Sequence, residues 1–550
     1  MSTFVPANGG FRSPDAAFVG LAWALATAVN VGKAVHVDDA AHLAIAEHIL
    51  ADPLHPMRGM VFWGTHPEPI HALNQPHLFF YVLAGALAIS GGSIVVAHLA
   101  LAATVLPGMI AFHATAQHLL RSQTEARVAT ALVFLGPGFL PGQNLMCDAP
   151  LVSLICVALW ALITAEGERA RSRLIIAGVA LGLACLVKYT AIALLPLFLI
   201  DARRDRSRAF PIAIALAFLG AYAAFNLYDY GGVHVLERHP GGVGDFGVLE
   251  RVGVTFARAA LFVLTLGAIA FAPWIVALSR RERIALASSF VVLVIATRIV
   301  AAIGPMEMRD EPWAVTLLRT AFFLSGVLAI VRLSRSVDLA DRIDVLLASA
   351  VVLVSVFVVV LSPFVAVRHA LLVLPPLTLL VLRHAAISET RAISVAIVAA
   401  ILGLTVATAD RVQAGVYREA GQRYRERSAT SGHGWFVGHW GWQWYASRAG
   451  LDAYDPGVSV LRPGDVVIRP AWVDAQPFDS RDEACLVVDE ETEVPAGATA
   501  IARTITSRSG YYAVWQGLPY GPSDEPLARF TTYRVTCFAL DGASVQSSSR

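Results

Sequence analysis

Charge is scarce in this sequence: 15% of its 550 residues are Asp, Glu, Lys or Arg, against about 25% in a soluble globular domain. The charges also cancel, with 42 Lys+Arg against 41 Asp+Glu, so no overall basic field exists to hold nucleic acid. Cysteine is sparse. Five residues cannot build a disulfide scaffold, and none forms a CxxC pair of the zinc-binding kind. A Walker A loop, a dinucleotide fingerprint and a GxSxG elbow are all missing, which leaves no recognisable site for a soluble nucleotide. Apolar residues fill the space, at 56% of the chain with a mean hydropathy of +0.61. This is the composition of a polytopic membrane protein.

A spanning helix needs about 20 mostly apolar residues, because hydrocarbon offers no partner to an unpaired peptide group. Stretches near 16–34, 94–118, 127–143, 149–165, 174–187, 189–201, 209–227, 257–278, 284–303, 313–331, 344–363, 369–382 and 392–409 qualify. They give about 13 spans, with an interruption at Lys188-Tyr189. The first lacks a basic leader and a cleavage site, so it reads as an uncleaved anchor. No repeat suggests a transporter built from two matched halves. Basic clusters recur at every second crossing: Arg121/Arg127, Arg169/Arg171/Arg173, Arg203/Arg204/Arg206/Arg208, Arg280/Arg281/Arg283, Arg332/Arg335/Arg342 and Arg383/Arg391. The positive-inside tendency then places the amino terminus inside and the carboxyl terminus outside, as in a multi-pass protein of a bacterial-type inner membrane.

Residues 77–90 (HLFFYVLAGALAIS) are too short to cross comfortably and read as a helix at the outer surface or dipping into it. The region 35–93 becomes one long outer loop, rich in His, Asp and Pro. Loops of that length commonly carry function. The transmembrane part thus covers 1–409, and at 410–550 the long apolar runs stop. There DVVIR (465–469), ACLVVD (484–489), ATAIARTI (498–505), YYAVW (511–515) and FTTYRVTCFAL (530–540) read as strands bounded by turn residues. A β-rich or α/β soluble domain of about 140 residues is expected on the outer side. Its two cysteines, Cys485 and Cys537, form either a disulfide or two buried thiols on neighbouring strands.

Two adjacent carboxylates, Asp38 and Asp39, follow the first span in His36-Val37-Asp38-Asp39-Ala40-Ala41-His42. Such a pair at a membrane surface is costly unless solvated, paired or used. It offers a general base at the membrane boundary, or an N-cap for AAHLAIAEHIL; one carboxylate can cap while its neighbour catalyses. Asp148, in Asn144-Leu145-Met146-Cys147-Asp148-Ala149-Pro150, suits an ordinary helix start, yet topology brings it out on the same face as Asp38. Asn74-Gln75-Pro76-His77 precedes an interfacial aromatic helix, as a helix start or as a polar group at the depth of a phosphate. Lys188, Arg258, Arg298 and Arg319 lie near the outer ends of spans. They either snorkel to headgroups or face an anion. The seven histidines of the outer loop, His36, His42, His48, His55, His66, His71 and His77, have no zinc-ligand spacing.

Taken in order, these segments resemble the GT-C membrane glycosyltransferases, the protein-O-mannosyltransferase-like group and its aminoarabinose lipid A transferase relatives (families 39 and 83). Asp38-Asp39-Ala40-Ala41-His42 is similar to the family's D-E-x-x-Y, with Asp39 for its Glu and His42 for its Tyr. Asn74-Gln75-Pro76-His77-Leu78-Phe79-Phe80-Tyr81 resembles (H/K)-P-P-L-x-Y-W, with Gln75 where the family carries a cation. Asp148-Ala149-Pro150-Leu151 resembles D-(A/P)-(L/F), and Gly182-Leu183-Ala184-Cys185-Leu186-Val187-Lys188 resembles G-L-A-x-L-x-K. The segment Arg368-His369-Ala370-Leu371-Leu372-Val373-Leu374-Pro375-Pro376-Leu377 is similar to R-Y-x-L-P-x-x-P-P-L, and Gly438-His439-Trp440-Gly441-Trp442-Gln443-Trp444-Tyr445 to G-x-W-G-x-x-Y.

The resemblance implies an α-helical bundle with a soluble extracytoplasmic domain, a sugar donor on a polyprenyl phosphate, and Asp38 as catalytic base. The expected reaction is an inverting displacement onto an envelope lipid, glycan or protein. Asp39 and Asp148 are further catalytic candidates, and His42, Gln75, His77, Lys188 and Arg258 are candidates for binding substrate. Membrane lipid is an expected partner and nucleic acid is not. No cofactor is required by this chemistry; a divalent metal is possible but not indicated. The rival reading is a transporter or flippase of lipid-linked sugars.

Overall fold

A computed structural model describes residues 13–73, 75–203, 205–237, 248–270, 278–303, 310–385, 387–428, 433–514 and 517–538. Helices dominate: α1 (Ser13–Asn30), α2 (Asp39–Ala51), α3 (Leu78–Ser90), α4 (Ile94–Leu119), α5 (Gln123–Phe134), α6 (Asp148–Ile163), α7 (Ala170–Val187), α8 (Pro196–Asp201), α9 (Phe210–Asp229) and the short α10 (His234–Glu237). They continue with α11 (Val248–Ile269), α12 (Arg280–Ile303), α13 (Trp313–Ser336), α14 (Arg342–Val356), α15 (Val367–Ala370), α16 (Leu374–His384) and α17 (Glu389–Ser428). Each predicted span meets a helix. Among the described residues nine helical stretches are long and apolar enough to cross a membrane, so the chain is a multi-pass membrane protein. The interruption foreseen at Lys188-Tyr189 is real. There α7 stops, Lys188 is extended, and a 3-10 turn (Tyr189–Leu194) leads into α8.

The basic loops act as latches at one end of the bundle. Arg127 donates to buried Asp15 at 2.8 Å, Arg208 and Arg342 both hold Asp201, and Arg383 bridges Asp344 at 2.8 Å and Asp341 at 2.7 Å. Such pairing offsets part of what each carboxylate loses on leaving water. The opposite end carries the region 35–93. It folds as α2, a hairpin of β1 (Met60–Phe62) and β2 (Pro67–Pro69), and α3, so the long loop has its own secondary structure.

The composition boundary at Ala409 falls inside α17. This helix runs for 40 residues, about 60 Å at 1.5 Å per residue, and its far end packs on the C-terminal domain. Tyr417 and Tyr424 share a core there with Phe436, Trp442, Ile468 and Phe530. The domain is a five-stranded sheet in the order β4-β3-β5-β7-β6. Its strands are β3 (Gly434–Phe436), β4 (Asp452–Ala453), β5 (Val466–Pro470), β6 (Leu486–Val494) and β7 (Ala528–Val535). The pairs β3–β4 and β3–β5 are parallel, and β7 is antiparallel to both β5 and β6. A Cys485–Cys537 disulfide joins the start of β6 to the end of β7. The helix α18 (Trp440–Arg448) follows β3.

Two predicted strands are not strands. Residues 498–505 form a 3-10 turn (Gly497–Ile501) and isolated bridges, and of the stretch 511–515 the residues 511–514 lie outside the sheet while Trp515 lies outside the described residues. The reason is a row of buried phenols that must find acceptors. Tyr511 donates to Gly138 O at 2.6 Å, Tyr512 to Asp410 at 2.7 Å and Tyr520 to Ala268 O at 2.7 Å. These bonds draw the segment down onto the helical bundle.

Candidate active site

A fully buried ion pair underlies the site. Lys33, just past α1, holds Asp410 of α17, and neither side chain has any exposure. The ammonium also donates to Asn144 Oδ1 and, at 3.0 Å, to Pro141 O. Asp410 in turn accepts from Thr504 at 2.6 Å and Tyr512 at 2.7 Å. A buried charge persists when its partners satisfy it on every side. This network fastens the exit of α1, the turn before α6, the middle of α17 and the C-terminal domain at one point.

Five residues beyond Lys33 the acidic pair begins. Asp38 stands at the N-cap of α2 but makes no side-chain cap bond; its Oδ2 accepts from Arg368 Nη1 at 2.8 Å instead. Its side chain keeps 23% exposure. Asp39 faces the other way, with 0% exposure, and accepts from the His36 backbone N–H at 3.1 Å. Burial pushes its carboxyl well above the usual range, against the pull of Lys33. The two carboxylates are therefore not equivalent: only Asp38 can be reached. His42, one turn along α2, places Nδ1 2.9 Å from Leu145 O, an acceptor only a protonated Nδ1 can satisfy. Burial lowers its imidazole pKa.

The turn 144–150 meets this face directly. Asp148 opens α6, again without capping it, and accepts from Lys188 Nζ at 2.7 Å. Arg368, at the start of α15, lies in the electrostatic field of both Asp38 and Asp148 and contacts Met146 Sδ at 3.8 Å. Two carboxylate–cation pairs therefore share one neighbourhood, each cation still slightly exposed, Arg368 at 15% and Lys188 at 11%. From sequence alone Arg368 has no role beyond its motif; its signal was an arginine heading an apolar span, which is expensive without a partner.

The remaining candidates fall into two groups. Asn74 lies outside the described residues. Gln75 has a buried Oε1 with no hydrogen-bond partner among the described residues. His77, 1% exposed, contacts Tyr222 Oη at 3.2 Å through Nδ1, and its Nε2 has no partner among the described residues. Burial first, and His234 second, push its imidazole well below the usual range. The extended Lys188 backbone turns the next residue, Tyr189, onto His234 at 2.9 Å, so one loop serves both Asp148 and this histidine–tyrosine cluster. Arg258 donates to Pro363 O at 2.9 Å, in the loop leading to Arg368. Arg298 and Arg319 are taken up by local partners. Arg298 lies over Trp313 and donates to Glu311 O, and Arg319 pairs with the Glu311 carboxylate at 2.6 Å.

Residues 74–227, from the Gln75 segment to the end of α9, match the family described as dolichyl-phosphate-mannose-protein mannosyltransferase. No curated protein sequence matches the chain. Among solved structures, ArnT from Cupriavidus metallidurans bound to undecaprenyl phosphate is similar at 13% identity and a TM-score of 0.41, over 83% of this chain and 93% of that one. The archaeal oligosaccharyltransferase AglB from Archaeoglobus fulgidus, in complex with an inhibitory peptide and a dolichol-phosphate, is similar at 12% identity and a TM-score of 0.46. That alignment covers 80% of this chain and 64% of AglB, so the chain spans less than two thirds of AglB's length. The family match and the helical plan define a polytopic enzyme that works at a membrane. Within that class the family match over residues 74–227 points to a glycosyltransferase.

Proposed function

We propose that the protein is a glycosyltransferase of the GT-C type, which takes its sugar from a polyprenyl-phosphate donor and passes it, with inversion, to an acceptor on the extracytoplasmic side of a bacterial-type inner membrane. The observation that carries the reading is the convergence of two carboxylate–cation pairs, Asp38–Arg368 and Asp148–Lys188, at one end of the bundle. A displacement at an anomeric carbon needs a base for the nucleophile and positive charge for the departing phosphate, and this pairing supplies both. The matched family is named for a lipid-phosphate sugar, which agrees with a site set among helix ends, where a lipid tail can lie between spans.

Asp38 takes the proton from an acceptor hydroxyl or amine as the acceptor's heteroatom bonds to C1. The C1–O bond to phosphate breaks, and polyprenyl phosphate leaves with the electron pair. Arg368 and Lys188 meet the phosphate, in place of the cation the family carries at the Gln75 position. Asp148 orients the acceptor or offsets charge building on the ring. His77, buried like Asp39, backs the phosphate side of the site, and Gln75 and His42 line the same approach. Arg258 acts on the loop that carries Arg368. Asp39 has no access to a substrate, so the base is assigned to Asp38 alone. The acceptor is an envelope lipid, glycan or protein.

The test is release of free polyprenyl phosphate in proteoliposomes supplied with synthetic polyprenyl-phosphate mannose, glucose or arabinose and with envelope extracts as acceptor. The wild-type protein is expected to release it from at least one donor, with the sugar recovered on acceptor by mass spectrometry. Asp38→Asn is expected to slow transfer by about 10²–10⁴-fold while the protein still inserts. Turnover by Asp38→Asn at the wild-type rate would overturn the assignment.

A further inference from the structure

Val37, the residue before Asp38, has φ +46°. A β-branched residue enters this left-handed region only when its surroundings force it. Val37 is buried, at 2% exposure, and two sets of contacts grip the turn around it. From within, Asp39 closes the turn twice: its Oδ2 accepts from the His36 N–H at 3.1 Å, and its own N–H donates to His36 O at 3.1 Å. From the C-terminal domain, α18 presses on the residues just upstream. Tyr445 Oη accepts from the Val35 N–H at 3.1 Å. Gly441 lies so close that a Cβ there would stand 2.1 Å from Val35 O and 3.4 Å from His36 Cα. Only glycine permits that approach.

We propose that Asp39 is a positioning residue rather than a second base: together with Tyr445 and Gly441 of the C-terminal domain, it holds Val37 left-handed and thereby aims Asp38 at Arg368. The inference rests on Asp38 being the base, as proposed above. It makes the C-terminal domain part of the catalytic apparatus, since α18 contacts the backbone three residues from that base. Burial of Asp39 favours its neutral form, and a neutral carboxyl still accepts the His36 hydrogen bond.

Turnover of the polyprenyl-phosphate sugar that the wild type uses, per mole of monodisperse protein in proteoliposomes, separates positioning from chemistry. Asn keeps the acceptor oxygen, so Asp39→Asn is expected within about threefold of wild-type kcat, whereas Asp39→Ala falls at least about tenfold with KM within about twofold. Glycine adopts positive φ without the Cβ penalty. In a Val37→Gly background the latch becomes dispensable, and adding Asp39→Ala is expected to cost less than about twofold. Asp39→Asn as slow as Asp39→Ala, with no relief from Val37→Gly, overturns the positioning role. Should Asp39→Ala fail to fold, Tyr445→Phe decides. Its kcat is expected to drop about fivefold in the wild-type background and less than about twofold with Val37→Gly; equal drops overturn the proposal. A wild-type protein inactive on every donor sinks the glycosyl-transfer reading itself. Wild-type turnover that Asp38→Asn abolishes, with Asp39→Asn as slow as Asp39→Ala, sinks the positioning role alone.

Discussion

Arg368 and Asp38, 330 residues apart in sequence, meet at 2.8 Å. The arginine arrives at the head of α15 and the aspartate at the head of α2, so the contact exists only once the bundle has closed. A guanidinium hydrogen-bonded to Asp38 and within the field of Asp148 eases the repulsion of two carboxylates and, at 15% exposure, can still meet an incoming anion. Arg368→Ala is therefore expected to slow sugar transfer by about 10²–10³-fold, the usual effect of losing one preorganised donor at developing charge. Arg368→Lys should recover only part of that, because a point charge cannot reproduce the planar fork. Steady-state kinetics of polyprenyl phosphate release, with Asp38→Asn as the reference, measures both.

Asp148 and Lys188 should behave as a unit. Asp148→Asn leaves the ammonium without its carboxylate and is expected to impair transfer without abolishing it. The double variant Asp148→Asn/Lys188→Met should be no slower than the worse single variant, because each change removes the same contact. Additive losses would mean that the 2.7 Å contact between them does not couple their roles at the site.

Lys33 and Asp410 make a different prediction, about stability. Lys33→Met strands a carboxylate with no exposure and is expected to cost about 3–5 kcal/mol. The loss should show first where the C-terminal domain joins the bundle, since Thr504 and Tyr512 both bond to Asp410. Limited proteolysis in detergent, monitored for release of the C-terminal domain, checks this. An unchanged cleavage rate would count against the network as the fastening point.

Acid should weaken the fold through His42 and His77. Burial depresses the folded-state pKa of both imidazoles, so below about pH 6.5 the unfolded chain binds more protons than the folded one. Their contribution is present in full above that pH and is lost as pH falls through it. Between pH 7.5 and 5.5 the protein is therefore expected to lose stability as protons bind these imidazoles more readily in the unfolded chain. A His77→Gln variant should accordingly show a smaller fall in thermal midpoint over that interval than the wild type.

The spans were legible because hydrocarbon imposes one demand, apolar length, and sequence states it directly. The break at Lys188-Tyr189 was legible for the same reason. The strands β5, β6 and β7 follow their alternation, but residues 498–505 and 511–514 do not, because Tyr511, Tyr512 and Tyr520 find their acceptors on the bundle and override local propensity. For the site, a shared face for Asp38 and Asp148 followed from counting crossings. The partner of Asp38 did not, since its contact is between distant segments. Lys33 and Asp410, which border spans, escaped notice because their pairing joins segments far apart in sequence. The left-handed Val37 left no trace in composition at all; a valine there reads as an ordinary buried residue.

The Cys485–Cys537 bridge has a use beyond the sheet it closes. Cystines endure in oxidising compartments and are reduced in the cytosol, while Cys147, Cys156 and Cys185 are buried as free thiols. The redox state of this one pair therefore serves as a built-in compass, recording which side of the bilayer the carboxyl-terminal half encountered as the chain matured.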